Sequence, residues 1–152
     1  MTDDTAPEGA DDPYNLARFV TAQQDTYARA LSEIRAGQKR SHWMWYVFPQ
    51  VDGLGYSATA RRYSVTSAAE AEAYLRHPVL GPRLAACAEA VLRVNARSAR
   101  DVFGSPDDLK LRSSATLFAA VSPEGSVFHR VLDRYFRGAP DPVTLARLGG
   151  SR

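Results

Sequence analysis

The chain has 152 residues, 45% of them hydrophobic, and a formal net charge of +2. That length supports one globular domain with a sizeable core, and the near-neutral balance excludes a nucleic-acid groove held by bulk charge. A single cysteine, Cys87, excludes an internal disulfide, and no apolar run approaches the roughly 18 residues that span a bilayer. With Asp3 and Asp4 where a signal peptide carries basic residues, the expected setting is the cytoplasm, with no membrane partner.

Residues 1–11 are small, acidic and without periodicity, and read as a disordered tail ahead of a single helical domain at 12–149. Asp12-Pro13 pairs a capping residue with a proline suited to a first helical position. The same pattern returns at Ser105-Pro106, Ser122-Pro123 and Asp141-Pro142. Leu16, Phe19, Val20, Gln23, Tyr27, Leu31 and Ile34 follow a helical stripe with a break near Thr21, and Gly37 stops it.

Next comes QKRSHWMWYVFPQVDGLGYS, Gln38 to Ser57. Ser41 can cap a short helix through Val47, which puts Trp43 and Val47 on one face with Met44 and Phe48 beside them. Trp45 and Tyr46 must then point elsewhere. The middle of the segment is expected to pack as core. Its ends differ: Lys39, Arg40, Ser41 and His42 lead in, and Gln50, Gly53, Gly55 and Ser57 lead out. Cations, an amide and glycines beside aromatic faces suit a flat phosphorylated ligand such as a nucleotide.

Tyr63 to Thr66 is the only strand candidate. Ser67 to Glu70 has capping-box spacing, with Glu70 able to reach back to the cap's own amide. Leu80, Leu84, Cys87, Val91 and Leu92 form a second helical stripe, and Phe128, Val131, Leu132, Tyr135 and Phe136 another. Between them, Ser105 to Val121 predicts a helix that is apolar nearly all round in its later turns. Asp107, Lys110 and Ser114 share one stripe of it, with Ser113 alongside; Asp108 and Arg112 read as an ordinary helix pair. The class is all-α: a compact multi-helix domain with short loops.

Nineteen basic residues include only two lysines, Lys39 and Lys110. In so arginine-biased a chain, the survival of two amines raises the question of whether an amine is needed there. A lysine amine attacks carbonyl carbon, which a guanidinium does not. Lys39 or Lys110 is therefore a candidate nucleophile, and Asp107, Glu33 or His42 a candidate proton carrier. Trp43 or Trp45 would stack on a base, with Arg40 and the Gly53-Gly55 turn near phosphates. Ser41, Gln50, Ser57, Ser113 and Ser114 complete the candidate ligand set. His42, His77 and His129 have no metal-ligand spacing and Cys87 does not supply one, so neither metal nor cofactor is expected. Cys87 reads as core packing, and Arg61-Arg62 and Arg97 to Arg100 as solvated faces.

AGQKRSHWMWYVFPQVDGLGYS, AEAYLRHPVLGPRL and FGSPDDLKLRSSATLF together resemble domain-of-unknown-function family 1810, over about Tyr14 to Tyr135. The resemblance implies a small helical bacterial protein without an assigned activity. Some members carry the label calpastatin, a protease inhibitor. Inhibitory calpastatin segments are disordered until bound, and this capped, periodic, core-forming chain argues against that role. In the order of its features the chain is also similar to NADAR proteins, which are linked to NAD and ADP-ribose chemistry and N-glycosidic bond cleavage. That resemblance implies a NADAR-like helical fold and a lysine that condenses with a ribose aldehyde; Lys39 and Lys110 are the available donors. The expected partner is a small nucleotide-type ligand, bound with or without cleavage of an N-glycosidic or ADP-ribosyl bond. The alternative is a non-catalytic ligand- or protein-binding module built on the tryptophan segment.

Overall fold

A computed structural model describes residues 12–149; the stretch 1–11 lies outside the described residues. The described chain is helical throughout. In order run α1 (Ala17–Gln23), α2 (Tyr27–Arg35), α3 (Met44–Val47), α4 (Ala58–Arg62) and α5 (Ala68–Arg76). Then follow α6 (Leu80–Arg93), α7 (Ala99–Phe103), α8 (Asp107–Ala119), α9 (Val127–Phe136) and α10 (Pro142–Arg147). The strand candidate contributes an isolated parallel bridge, Val51 with Val65. It clips the segment after α3 to the segment after α4 through Val65 N–H to Gln50 O (2.9 Å) and Asp52 N–H to Val65 O (2.8 Å).

The caps show how local chemistry sets these boundaries. Ser67 Oγ accepts from Glu70 N at 3.0 Å, as the capping-box spacing predicts. The Glu70 carboxylate, however, turns to the Thr66 amide and hydroxyl, both at 2.9 Å, and to Arg18 at 3.1 Å, rather than to the Ser67 amide. Asp141 accepts from Thr144 N, with Pro142 opening α10. The Asp12 carboxylate reaches the amides of Leu16 (2.7 Å) and Ala17 (2.8 Å) across an intervening turn, so it still closes the start of α1.

The other two Ser-Pro pairs behave differently. Ser105 caps nothing, and α8 begins after Pro106. Ser122 donates back to Phe118 O at 2.7 Å, at the end of α8, and Ser126 caps α9 instead. The break in the first stripe falls at Gln24 to Thr26, slightly beyond Thr21.

Two helices organise the packing: α6 lies against α2, α5 and α9, and α8 against α5, α7, α9 and α10. The apolar surround predicted for α8 is real, since Leu111 and every residue from Ser113 to Ala119 are buried. An aromatic ladder crosses the core from Phe19 to Tyr74 (ring centroids 5.1 Å), Tyr74 to Phe118 (5.3 Å) and Phe118 to Phe128 (5.6 Å). The tryptophan segment divides as its periodicity predicts. Trp43, Met44, Val47 and Phe48 are buried, while Trp45 and Tyr46 are half-buried. Trp43 and Phe48 both pack on Phe103 of α7, at 6.3 and 5.9 Å, which brings the start of α8 beside α3.

Candidate functional site

The site begins where α2 ends. Gly37 takes a left-handed turn (φ +81°), a conformation that suits a residue without Cβ, and the chain then runs to α3 past α7. Lys39 N–H anchors it to Val102 O at 2.7 Å. Glu33, in the last turn of α2, gathers the rest. Its carboxylate accepts from Arg40 N (2.9 Å), Ser41 N (3.1 Å), Ser41 Oγ (2.6 Å) and Trp43 Nε1 (2.8 Å). Burial pushes the carboxyl up, and the bonds from Ser41, Arg40 and Trp43 outweigh it, holding the group down at about 2. Glu33 is therefore an ionised clamp with its oxygens occupied.

With the loop fixed, the Lys39 side chain turns inward and is only 7% exposed. Its ammonium meets Asp107 Oδ2 at 2.8 Å, donates to Ser41 O at 2.6 Å and lies 5.0 Å from the Trp43 ring centroid. Asp107 is in the first turn of α8, where a carboxylate also meets the positive end of the helix dipole. Its other oxygen, Oδ1, faces Lys110 Nζ at 3.5 Å, one turn on. Lys110 is 29% exposed and sits 5.5 Å from the centroid of the Trp45 ring. The chain's two lysines thus end on one carboxylate, each against a tryptophan.

The remaining expected residues divide into three groups. Trp45, Gln50, Gly53 and Gly55 lie together around a cavity of about 10 Å³, room for one water rather than a nucleotide. Gly53 is shaped by α10: a Cβ there would collide with the Arg147 guanidinium, whose Nε donates to Asp52 O at 3.0 Å. Trp43 is 1% exposed with its indole N–H on Glu33, so it offers no face to a ligand, whereas Trp45 is half-buried.

A second group is occupied by local bonding. Ser41 is held by Glu33, Ser57 caps α4 by accepting from Ala60 N (3.0 Å), and the Arg40 guanidinium reaches Gln38 Oε1 (3.2 Å). Ser113 donates to Leu109 O and Asp141 Oδ2, at 3.2 and 3.3 Å. A third group stands apart. His42 is exposed, and Ser114 is 1% exposed with a hydroxyl that has no hydrogen-bond partner.

Two contacts have no counterpart in the sequence pattern. Half-buried Arg18 pairs with buried Glu70 and also donates to the carbonyls of Arg62, Ser64, Tyr14 and Asn15. Arg112 bonds the carbonyls of Ala139 and Pro140, both at 3.0 Å, in place of the expected pair with Asp108. Arg18 reaches the carbonyls of Arg62 and Ser64, 44 and 46 residues on, and Arg112 those of Ala139 and Pro140, 27 and 28 residues on, which no helical spacing announces. Burial pushes the Cys87 thiol up to about 12, which removes it as a thiolate nucleophile. Among the described residues no three His, Cys, Asp or Glu side chains gather as a metal site, and no helix is long and apolar enough to cross a membrane.

Comparison with known proteins agrees with this helical architecture. The chain is similar to the conserved hypothetical protein Rv1873 from Mycobacterium tuberculosis, known from a crystal structure. The two share 50% sequence identity with a TM-score of 0.88, over 91% of this chain and 99% of that chain. No curated protein matches the chain. The model of the family "Protein of unknown function (DUF1810)" matches residues 13–148, nearly the whole described region, and the chain belongs to that family.

Proposed function

We propose that the protein binds a nucleotide- or ADP-ribose-type ligand on the surface formed by Lys110, Asp107 and Trp45. The observation that carries this reading is the meeting of the only two lysines on a single carboxylate, each ammonium over an indole. Two cations on one anion leave an excess positive charge. Lys39 holds Asp107 closely at 2.8 Å, whereas Lys110 stands at 3.5 Å and is more exposed. An anionic ligand oxygen can therefore take Lys110 without stripping Asp107 of its partner. Trp45, half-buried, supplies an aromatic face beside it, the combination that suits a base next to a phosphate. Within this class, ADP-ribose is singled out by the order of the sequence features alone, which resembles that of NADAR proteins.

One observation favours a second reading, in which the site cleaves an N-glycosidic bond. Lys110 Nζ stands 3.5 Å from Asp107 Oδ1, and a small approach on ligand binding would let that carboxylate take the ammonium proton before the free amine attacks. The Nζ–C1 bond would form as the C1–N bond to the pyridinium of NAD breaks; nicotinamide leaves neutral, and the proton shed by the newly bonded nitrogen passes to water. Ring opening of the adduct then gives an imine that borohydride reduces. The test is borohydride trapping with NAD, whose C1–N bond must break before an imine can form, read by intact-protein mass beside binding of NAD and of ADP-ribose. An adduct lost in Lys110→Arg and retained in Lys39→Arg supports cleavage. Saturable binding without an adduct leaves the binding reading alone, and absence of binding to either ligand overturns both.

A further inference from the structure

A cluster of arginines that the surface above does not use lines two adjoining clefts elsewhere in the molecule. Two clefts of about 310 and 510 Å³ share Arg35, Arg93 and Val94, and the larger also takes in Gly37, Arg97 and Asp101. Arg35 is the last residue of α2 and Arg93 the last of α6, helices that pack together, while Arg97 follows in the loop to α7. The ordinary use of an arginine at a helix end is to bond the last carbonyls.

Those carbonyls are largely taken. In α2, Ser32, Glu33 and Ile34 accept from the amides of Ala36, Gln38 and Gly37. In α6, Ala90 accepts from Val94 N and Val91 from the Tyr135 hydroxyl at 2.9 Å. Among the described residues, the exposed guanidinium groups of Arg35, Arg93 and Arg97 donate no hydrogen bond and form no ion pair, in contrast to Arg18, Arg112, Arg134 and Arg147. Glu89, on the smaller cleft, faces Arg130 at 3.5 Å. Asp101 is then the carboxylate set against three guanidinium groups, and the partial negative charges of two helix ends, about half a unit each, do not cancel the excess.

We infer that Arg35, Arg93 and Arg97 form a binding cleft for a small multiply phosphorylated molecule, recognised through its diphosphate. Planar guanidinium forks match phosphate oxygens two at a time, and a cleft of this size admits a diphosphate with a sugar attached. This site stands on its own residues and does not depend on ligand binding at Lys110.

The test is an NMR amide titration of the full chain with inorganic pyrophosphate, at about 20 mM salt to limit screening. Saturable shifts are expected at residues 35–37 and 93–97. The double variant Arg93→Gln/Arg97→Gln, at exposed positions, is expected to lose at least about tenfold in affinity, and Lys110→Gln to lose none. Arg35→Gln, compared by the same titration, provides an independent variant should the double one fold poorly. Shifts that do not saturate at millimolar pyrophosphate, or an affinity unchanged in the arginine variants, overturn the assignment. Tighter binding of a single-stranded oligonucleotide than of pyrophosphate overturns its small-molecule character.

Discussion

Glu33 is a carboxylate with four donors aimed at it, and its consequences are measurable in isolation. Its pKa is lowered from the ordinary 4.5 to about 2, so the stability it contributes is complete above pH 4.5 and is lost as the pH falls toward 2. Glu33→Gln loses the charge and sets an amide N–H₂ against donors. The expected cost is about 1–3 kcal/mol at pH 7 by urea denaturation. The gap between the variant and the native chain should narrow between pH 4.5 and pH 2; a gap constant with pH would contradict the clamp. The two lysines separate in the same way. Lys39→Met strands Asp107 with its more distant partner and is expected to cost about 1–3 kcal/mol, whereas Lys110→Met stays within about 0.5 kcal/mol. Thermal unfolding of the two variants side by side tests whether Lys39 carries the structural share of the pair.

At the scale of elements, the sequence announces helices better than it announces their starts. Ser67 and Asp141 cap where their spacing says they should, because the donor they need is on their own next turn. Ser105 and Ser122 do not, because each proline belongs to a turn that precedes the helix rather than to its first residue. Asp141 has more to lose than an average cap. Besides the Thr144 amide it holds the Thr144 and Ser113 hydroxyls, and its own N–H donates to Thr116 Oγ1 at 2.8 Å. Asp141→Ala is expected to cost about 2 kcal/mol, the upper end for a cap, in chemical denaturation. Gly81 is needed for another reason. A Cβ there would run into the Leu75 backbone carbonyl where α5 meets α6, and backbone cannot move aside as a side chain can. Gly81→Ala should cost about 1–3 kcal/mol by the same measurement, against a near-neutral change at an open helical position.

At the scale of the whole molecule, the helical class, the buried α8 and the split of the tryptophan segment into packed and half-open residues were legible from periodicity. The two lysines, Lys39 and Lys110, 71 positions apart in number, stood out among so many arginines, but as alternatives; that both meet Asp107 appears only in the fold. Which carboxylate joins the lysines was not legible, since Asp107 and Glu33 were both open candidates. Glu33 reaches its partners seven to ten residues ahead, across a glycine turn, where helical spacing has no force. The arginine cleft was equally silent, since Arg35 and Arg93 become neighbours only when α2 and α6 pack.

The most direct test of the account exploits the contrast between the two tryptophans. Trp43 is sealed in the core and Trp45 is half-open beside Lys110, so intrinsic fluorescence titrated with ADP-ribose and with NAD reports on the proposed surface. Saturable quenching is predicted in the native chain, lost in Trp45→Phe and weakened at least about tenfold in Lys110→Gln. Fluorescence unresponsive to either ligand, or quenching that survives unchanged in Lys110→Gln, would contradict it.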